Sequence, residues 1–126
     1  MKIEDHNGYL ELERTDVAEF PYLRIAAVIE TSSGKFCGEN NAVFYGGGEA
    51  GKAQLNRLRS FELDEARIEL TEGCWLEVRR FRRGNMEVRF QIVVVRSGTE
   101  TSLSGLIAVE GEYAVQFVEA LRKQIA

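Results

Sequence analysis

The strongest pattern in the chain lies between Arg67 and Val95, which read RIELTEGCWLEVRRFRRGNMEVRFQIVVV. Apolar and polar residues alternate on both sides of a central Arg83-Gly84-Asn85, as they do in two strands joined by a tight turn. A glycine followed by an asparagine tolerates the positive φ that such turns require. The stretch therefore predicts a β-hairpin, which we expect to form the centre of the sheet.

The number of residues in the hairpin loop decides which side chains are buried. An odd number sets Leu76 opposite Ile92, and the same register sets Val78 opposite Phe90. An even number would oppose Glu77 to Ile92, so burial favours the odd loop. The predicted apolar face contains Leu76, Val78, Met86, Val88, Phe90, Ile92 and Val94. The opposite face carries Trp75, Glu77, Arg79, Phe81, Glu87, Arg89, Gln91, Val93 and Val95.

Length and composition indicate one globular domain over residues 1–126. The chain has 126 residues, 44% of them hydrophobic and 29% charged, with a single proline. A chain of this size buries about two-thirds of the surface that its unfolded form exposes. The net charge of −4 argues against nucleic acid as the general partner. The charge is unevenly spread, however, since residues 66–99 hold seven basic and four acidic side chains.

Cysteine and histidine content excludes several chemistries. Cys37 and Cys74 are too far apart in sequence for a C-x-x-C motif, and His6 is the sole histidine. A conventional zinc site is therefore not expected, and neither is a nucleophile–base–orienter set. The chain is predicted not to be an enzyme and to need no cofactor. No signal-peptide pattern and no apolar run of ~20 residues is present, which favours a reduced cytoplasmic protein. A disulfide between the two cysteines remains open.

Hydrophobic periodicity extends these predictions to the rest of the chain. Leu55, Leu58 and Phe61 recur every third residue, as on the apolar face of a short helix. A bulge is expected around Gly38 and the Asn40-Asn41 pair. In chain order we predict strands over residues 9–13, 22–31 and 36–45, a helix over 49–61, a strand through 68–70, the hairpin, a strand over 101–109 and a helix over 112–125.

The short connections between strands imply antiparallel pairing, because parallel neighbours need crossovers of about a dozen residues. The predicted fold class is α+β, with an antiparallel β-meander sheet of six or seven strands, a short central helix and a C-terminal helix. The two helices are expected to cover one face of the sheet and to leave the other face to curl upon itself, meet a partner or carry a site.

A glycine-rich segment offers one candidate site. The segment reads Gly46-Gly47-Gly48-Glu49-Ala50-Gly51-Lys52-Ala53 and nearly matches the phosphate-binding motif G-x-x-x-x-G-K-[ST]. Its last position lacks the hydroxyl that would bind magnesium, and the antiparallel pattern does not supply the βαβ context. A glycine hinge is the simpler interpretation. Anion binding through Gly46, Gly47, Gly48, Gly51 and Lys52 stays as an alternative, since free N–H groups at the start of a helix hold anions.

The arginine-rich end of the hairpin is the stronger candidate. Aromatic and guanidinium groups together anchor protein partners or stack on bases. A solvated hairpin tip is the simpler interpretation, because charge on hairpins also discourages edge-to-edge pairing. The acidic remainder of the chain makes a protein partner the preferred hypothesis and RNA an alternative. The candidate binding residues are Trp75, Arg79, Arg80, Phe81, Arg82, Arg83 and Arg89.

The order of its predicted elements gives the chain a family resemblance. A first meander, a helix, a second meander and a C-terminal helix follow one another, and the stretch that begins in the last strand reads LSGLIAVEGEY over residues 103–113 and leads into Phe117 and Leu121. This arrangement resembles small bacterial immunity-type proteins of the WapI class. The resemblance implies binding of a cognate toxin and assigns no individual residue. The resulting hypothesis is a non-enzymatic, cytoplasmic protein-binding domain, with a toxin or a second copy of the chain as its partner.

Overall fold

The chain folds as two successive ββββα units in a computed structural model that describes residues 1–15, 22–44, 48–70, 73–81 and 84–124. The helices and the antiparallel strands confirm the predicted α+β class. The described elements are β1 (Lys2–Asp5), β2 (Gly8–Thr15), β3 (Tyr22–Thr31), β4 (Gly34–Phe44), α1 (Gly48–Arg59), β5 (Glu65–Glu69), β6 (Trp75–Arg80), β7 (Met86–Arg96), β8 (Thr99–Val109) and α2 (Gly111–Gln124).

The strands form two sheets rather than one. The first has the order β1-β2-β3-β4 and the second the order β5-β6-β7-β8, with antiparallel neighbours throughout. The predicted single sheet of six or seven strands is therefore wrong. Alternation shows that each strand buries one face, but it does not show whether a helix or a second sheet covers that face. The Arg67–Val95 stretch accordingly lies at the centre of the second sheet only.

One hydrophobic core joins both sheets and both helices. Leu12 and Ile25 of the first sheet, Phe90 of the second, Leu58 of α1 and Leu121 of α2 are fully buried in a single cluster. The buried residues of α2 are Ala114, Phe117, Val118 and Leu121, which share one face of the helix. Phe61 is the exception in α1, because the helix ends at Arg59 and this ring is exposed.

The hairpin between β6 and β7 has the predicted odd loop, of residues 81–85, and the predicted buried face. The observed register differs from the predicted one by two residues, since Leu76 lies opposite Phe90 and Val78 lies opposite Val88. A shift of two residues leaves every side chain on the same face, so burial alone cannot distinguish the two registers. Val93 is an exception to the alternation of buried and exposed residues along β7. It belongs to the outer face, yet it is only 4% exposed.

Glycines allow the two sheets to approach closely. A Cβ atom on Gly105 of β8 would lie 2.7 Å from the ring of Phe90 and 3.1 Å from the side chain of Ile29 on β3. A Cβ on Gly38 of β4 would lie 3.0 Å from the side chain of Leu103 on β8. The close approach of the two long hairpins therefore requires residues without a Cβ atom at positions 38 and 105.

Side chains complete the hydrogen bonding where strands end or lack a neighbour. The Asn40 side chain donates to the Val93 carbonyl over 2.8 Å, and the Val93 N–H donates to the Cys74 sulfur over 3.3 Å. Cys74 is buried, Cys37 is exposed, and the two are not joined by a disulfide. The register shift that follows Asn40 in β4 confirms the predicted bulge. Among the described residues, no helix is long and apolar enough to cross a membrane.

Candidate protein-binding surface

The outer face of the second sheet, which we call the charged face, consists of the outward side chains of β5, β6 and β7. Opposite charges alternate across the strands: Arg79 lies between Glu65 and Glu87 in the strand register. In the next row Glu77 lies between Arg67 and Arg89. Opposite charges on neighbouring strands stabilise the pairing, so these carboxylates also have a structural role. The members of the charged face are Glu65, Arg67, Glu69, Trp75, Glu77, Arg79, Glu87, Arg89 and Gln91.

Trp75 is held in place by Arg67, a residue that the sequence did not single out. The Arg67 guanidinium lies over the indole, 4.4 Å from the ring centroid. Its Nε donates to Glu69, and its Nη1 lies 3.4 Å from Glu77. These partners, Glu69 first, raise the pKa of Arg67 above its ordinary value. Trp75 is thus half-buried and fixed on one side, which reduces the entropy lost when a partner covers its free side.

Arg79 and Arg89 share the charged face with Trp75, as predicted, and both are exposed. Neither makes an ion pair within 4.0 Å to another residue in the part of the chain that the structure describes. Leu106 of β8, 40% exposed, lies opposite Arg89 and gives this part of the face an apolar border.

Arg80 does not share the charged face. Successive strand residues point to opposite sides, and Arg80 therefore points toward α1. Its Nη2 donates to the Leu58 carbonyl, and its guanidinium lies 4.1 Å from the centroid of the Phe61 ring. A cation beside the last carbonyls of a helix also interacts favourably with the helix dipole. Arg80 thus joins β6 to the end of α1.

Phe61 occupies the position after a helix that usually belongs to glycine. The Phe61 N–H donates to the Leu58 carbonyl over 3.3 Å and the Glu62 N–H to the Arg57 carbonyl over 2.9 Å, the pattern of a Schellman cap. Its φ of 66° is left-handed, a conformation that costs an L-residue about 1–2 kcal/mol. The Phe61 ring is nevertheless 74% exposed.

Phe81 lies one residue beyond β6 and is 50% exposed. Its N–H donates to the Asn85 carbonyl across the hairpin loop over 2.6 Å. The Asn85 side chain accepts a bond of 2.9 Å from the Gly111 N–H at the start of α2, which ties the loop to that helix. We call Phe61, Arg80 and Phe81 the aromatic end. Arg82 and Arg83 of the predicted site lie outside the described residues.

No family model, no curated protein and no solved structure matches this chain. The assignment of a function therefore depends on the geometry of the chain itself.

The glycine-rich segment leads into α1, as the predicted helix over residues 49–61 implies. Gly48 begins α1, and Gly51 and Lys52 lie within the helix; Gly46 and Gly47 are outside the described residues. Lys52 lines a cleft of about 150 Å³ together with three residues of α2, which are Glu119, Arg122 and Lys123. Glu119 is engaged by Arg59 at 2.8 Å and by Arg122 at 3.7 Å. The cleft therefore has an excess of positive charge.

The outer face of the first sheet provides a contrast with the charged face. Its Arg24 is surrounded by Glu11 and Glu39, each at 2.7 Å, and by Glu13 at 3.6 Å. Hydrogen bonds that Arg24 donates to Glu39 and Glu11 raise its pKa above the ordinary value. This cation is saturated by the protein's own carboxylates, whereas Arg79 and Arg89 are not.

Proposed function

We propose that this chain is a non-enzymatic protein-binding domain that contacts its partner through the aromatic end and the adjoining charged face. The observation that carries the proposal is Phe61, an exposed aromatic ring on a left-handed backbone where glycine would be less strained. Strained positions that persist often serve function rather than stability. Arg80 holds this ring from one side, and the other side is open to a partner.

The composition of this surface supports a protein partner. Aromatic residues and arginine dominate the energetic centres of protein interfaces. Trp75, Phe61 and Phe81 supply the aromatic groups, and Arg79 and Arg89 supply charges with no ion-pair partner among the described residues. A partner with an apolar patch bordered by carboxylates would complement this surface. Neutralisation of a toxin, as in immunity proteins of the WapI class, is the form of this function that the resemblance favours.

Affinity capture from the source cell extract, followed by mass spectrometry, would identify the partner, and titration would then measure its affinity. We expect Phe61→Ala, Phe81→Ala and Arg79→Glu each to weaken binding about ten-fold or more, as residues at the centre of an interface do. Val115→Ala on α2 and Arg96→Glu at the far end of β7 replace exposed residues away from the surface and serve as matched controls. Unchanged affinity in all three test variants would remove the proposed surface.

Two other partners are distinguished in the same series. A second copy of the chain would appear as a concentration-dependent dimer in light scattering, and the three variants would dissociate it. RNA would give binding that falls steeply with salt, because phosphate contacts release counterions. Retention on single-stranded RNA that falls steeply with salt and is lost in Arg79→Glu would favour RNA over protein.

Anion binding is a second candidate, favoured by the cluster of Lys52, Arg122 and Lys123 around one cleft. A thermal-shift screen of phosphate, pyrophosphate and nucleotides tests it, since a ligand at 100 times its Kd adds ~2.7 kcal/mol of stability. We expect any such shift to disappear in Lys52→Ala and to persist in Lys35→Ala, which removes an exposed lysine at the tip of the β3–β4 hairpin. No shift with any compound would end this candidate.

A further inference from the structure

A groove of about 820 Å³ lies between β1 and α2, beside the end of β8. Buried side chains form its floor, namely Ile3, Val109 and Phe117. The wall on the α2 side consists of residues that recur at helical spacing and so share one helix face. These are Tyr113, Gln116, Phe117 and Ala120. The groove is a concave apolar site on a surface separate from the charged face.

The other wall of the groove is the edge of a strand. All of residues 1–6 line it, although side chains of successive strand residues point in opposite directions. Contact with every residue means that the edge of β1 faces the groove. Within the described residues β1 pairs only with β2 and is the outer strand of its sheet.

The backbone of β1 offers hydrogen bonds to the groove. The Leu12 N–H donates to the Met1 carbonyl over 2.8 Å, which makes this a hydrogen-bonded pair of the β1–β2 ladder. Bonded and non-bonded pairs alternate in an antiparallel ladder, so Lys2 and Glu4 direct their N–H and C=O groups away from β2. An exposed edge of this kind is a template for an added strand.

β8 does not fill this edge. At one end of the groove Asp5 Oδ2 accepts a bond of 3.1 Å from the Ala108 N–H of β8. Asp5 Oδ1 accepts bonds from the Asn7 and Gly8 N–H groups at 2.7 and 3.1 Å. This carboxylate therefore fixes β1 beside β8 through a side chain rather than through strand pairing, and the edge at Lys2 and Glu4 remains open.

The rim of the groove is negative. It carries Glu4, Asp5 and Glu110, whereas the one lysine of the rim, Lys2, places its Nζ over the Tyr9 ring at 4.3 Å. The sole histidine, His6, also lines the rim. Carboxylates beside an apolar floor favour a ligand that combines basic and apolar groups.

We propose that this groove binds an extended basic segment of another protein, which adds to the edge of β1 as a further strand. Alternate side chains of the segment are apolar and cover the floor, and the remaining ones are basic and face the rim. The four residues of β1 span about 13 Å, so the bound segment has a core of about four residues. The partner is separate from that of the aromatic end.

The test measures binding of a fluorescein-labelled hexapeptide of alternating lysine and valine to the full chain by fluorescence anisotropy. We expect saturable binding, with no binding of the peptide in which glutamate replaces lysine. Two further peptides carry N-methyl groups on all valines or on all lysines. Only one of these two sets of N–H groups faces β1 in an added strand, so one methylated peptide loses binding and the other retains it.

Charge reversal tests the position of the site. Glu4→Lys combined with Glu110→Lys should weaken binding about ten-fold or more, while Glu30→Lys combined with Glu100→Lys, a matched pair of exposed acids on the hairpin tips, should leave it unchanged. Phe61→Ala and Phe81→Ala should also bind the peptide normally, which separates this proposal from the proposed function.

Four outcomes would overturn the proposal of an added strand. They are absence of binding, equal binding of the acidic peptide, an equal effect of both methylated sets, and equal loss in both charge pairs. The peptide comparisons use the unaltered chain and stand even where a variant fails to fold.

Discussion

At the residue scale, Phe61 has two properties with opposite effects on stability, namely its backbone conformation and the contact of its ring with Arg80. Its backbone is left-handed, with a φ of 66°, and its ring is 74% exposed with Arg80 on one side. Contact between a guanidinium and an exposed ring contributes about 0.5–1 kcal/mol, less than or similar to the backbone cost. The ring therefore gives the folded chain little or no net stability, which is why we place it in a binding surface.

Substitution at residue 61 separates the contribution of the ring from the cost of the left-handed backbone. Phe61→Ala removes the ring and keeps the strained backbone, whereas Phe61→Gly removes both. We expect the glycine variant to be more stable than the alanine variant by about 1 kcal/mol, because glycine adopts positive φ freely. Urea denaturation of the two variants and of the unaltered chain measures this difference.

Ser60, the preceding residue, is exposed and is not among the residues of positive φ. Glycine should therefore be less stable than alanine at residue 60, the reverse of the order at residue 61. Equal stability of the two variants at residue 61 would show that its backbone relaxes out of the left-handed region.

The sequence predicted some of these residues and could not predict others. Trp75, Arg79 and Arg89 were placed on one face by alternation alone, because facial parity is a local property of a strand. Arg80 was grouped with them by proximity in sequence, and its parity places it on the other side. The three-residue spacing of Leu55, Leu58 and Phe61 predicts that Phe61 lies on the apolar face of α1, and only the structure shows that the helix ends at Arg59 and that Arg80 contacts the ring.

At the scale of elements, the close contact between the β3–β4 and β7–β8 hairpins depends on Gly105. Gly105→Ala would place a methyl group 2.7 Å from Phe90, a fully buried ring, and 3.1 Å from Ile29. We expect a loss of about 1–3 kcal/mol in the free energy of unfolding, as for other overpacked sites, even though alanine favours a strand more than glycine does.

Gly111→Ala is the matched control for Gly105→Ala. The nearest atom to its added methyl group is Asn85 Oδ1, at 4.0 Å, and the residue begins α2, where alanine is favourable. Its stability should change by no more than about 0.5 kcal/mol. Chemical denaturation of both variants compares the two sites, and a neutral Gly105→Ala would show that Phe90 and Ile29 are not packed closely against residue 105.

The boundaries of the helices and strands are easier to predict from the sequence than the pairing of residues between strands. The strand over residues 22–31 and the helix at the C-terminal end follow from periodicity within the segment. The two-residue register difference between β6 and β7 does not, because it leaves both faces unchanged and is set by contacts across the sheet. The groove beside β1 was also not predicted, since residues from both ends of the chain form it.

At the scale of the whole molecule, the two ββββα units share one hydrophobic core. Leu12 and Ile25 of the first sheet belong to the same buried cluster as Phe90 and Ile92 of the second. Neither sheet can bury its inner face without the other. The shared core implies that the two units unfold together.

Leu12→Ala tests this cooperativity from the first sheet, with Trp75 as a fluorescent probe in the second. Leu12 is fully buried, so the substitution should lower the free energy of unfolding by about 2–5 kcal/mol through lost burial and a residual cavity. Because the core is shared, the urea midpoint reported by Trp75 fluorescence should fall together with the midpoint reported by far-ultraviolet circular dichroism. Val115→Ala, which alters an exposed side chain of α2, should shift neither midpoint by more than the equivalent of about 0.5 kcal/mol. A Trp75 transition that stays at its original midpoint while the dichroism signal separates into two steps would mean that the second sheet is stable without the first, and the shared core would then not account for the fold.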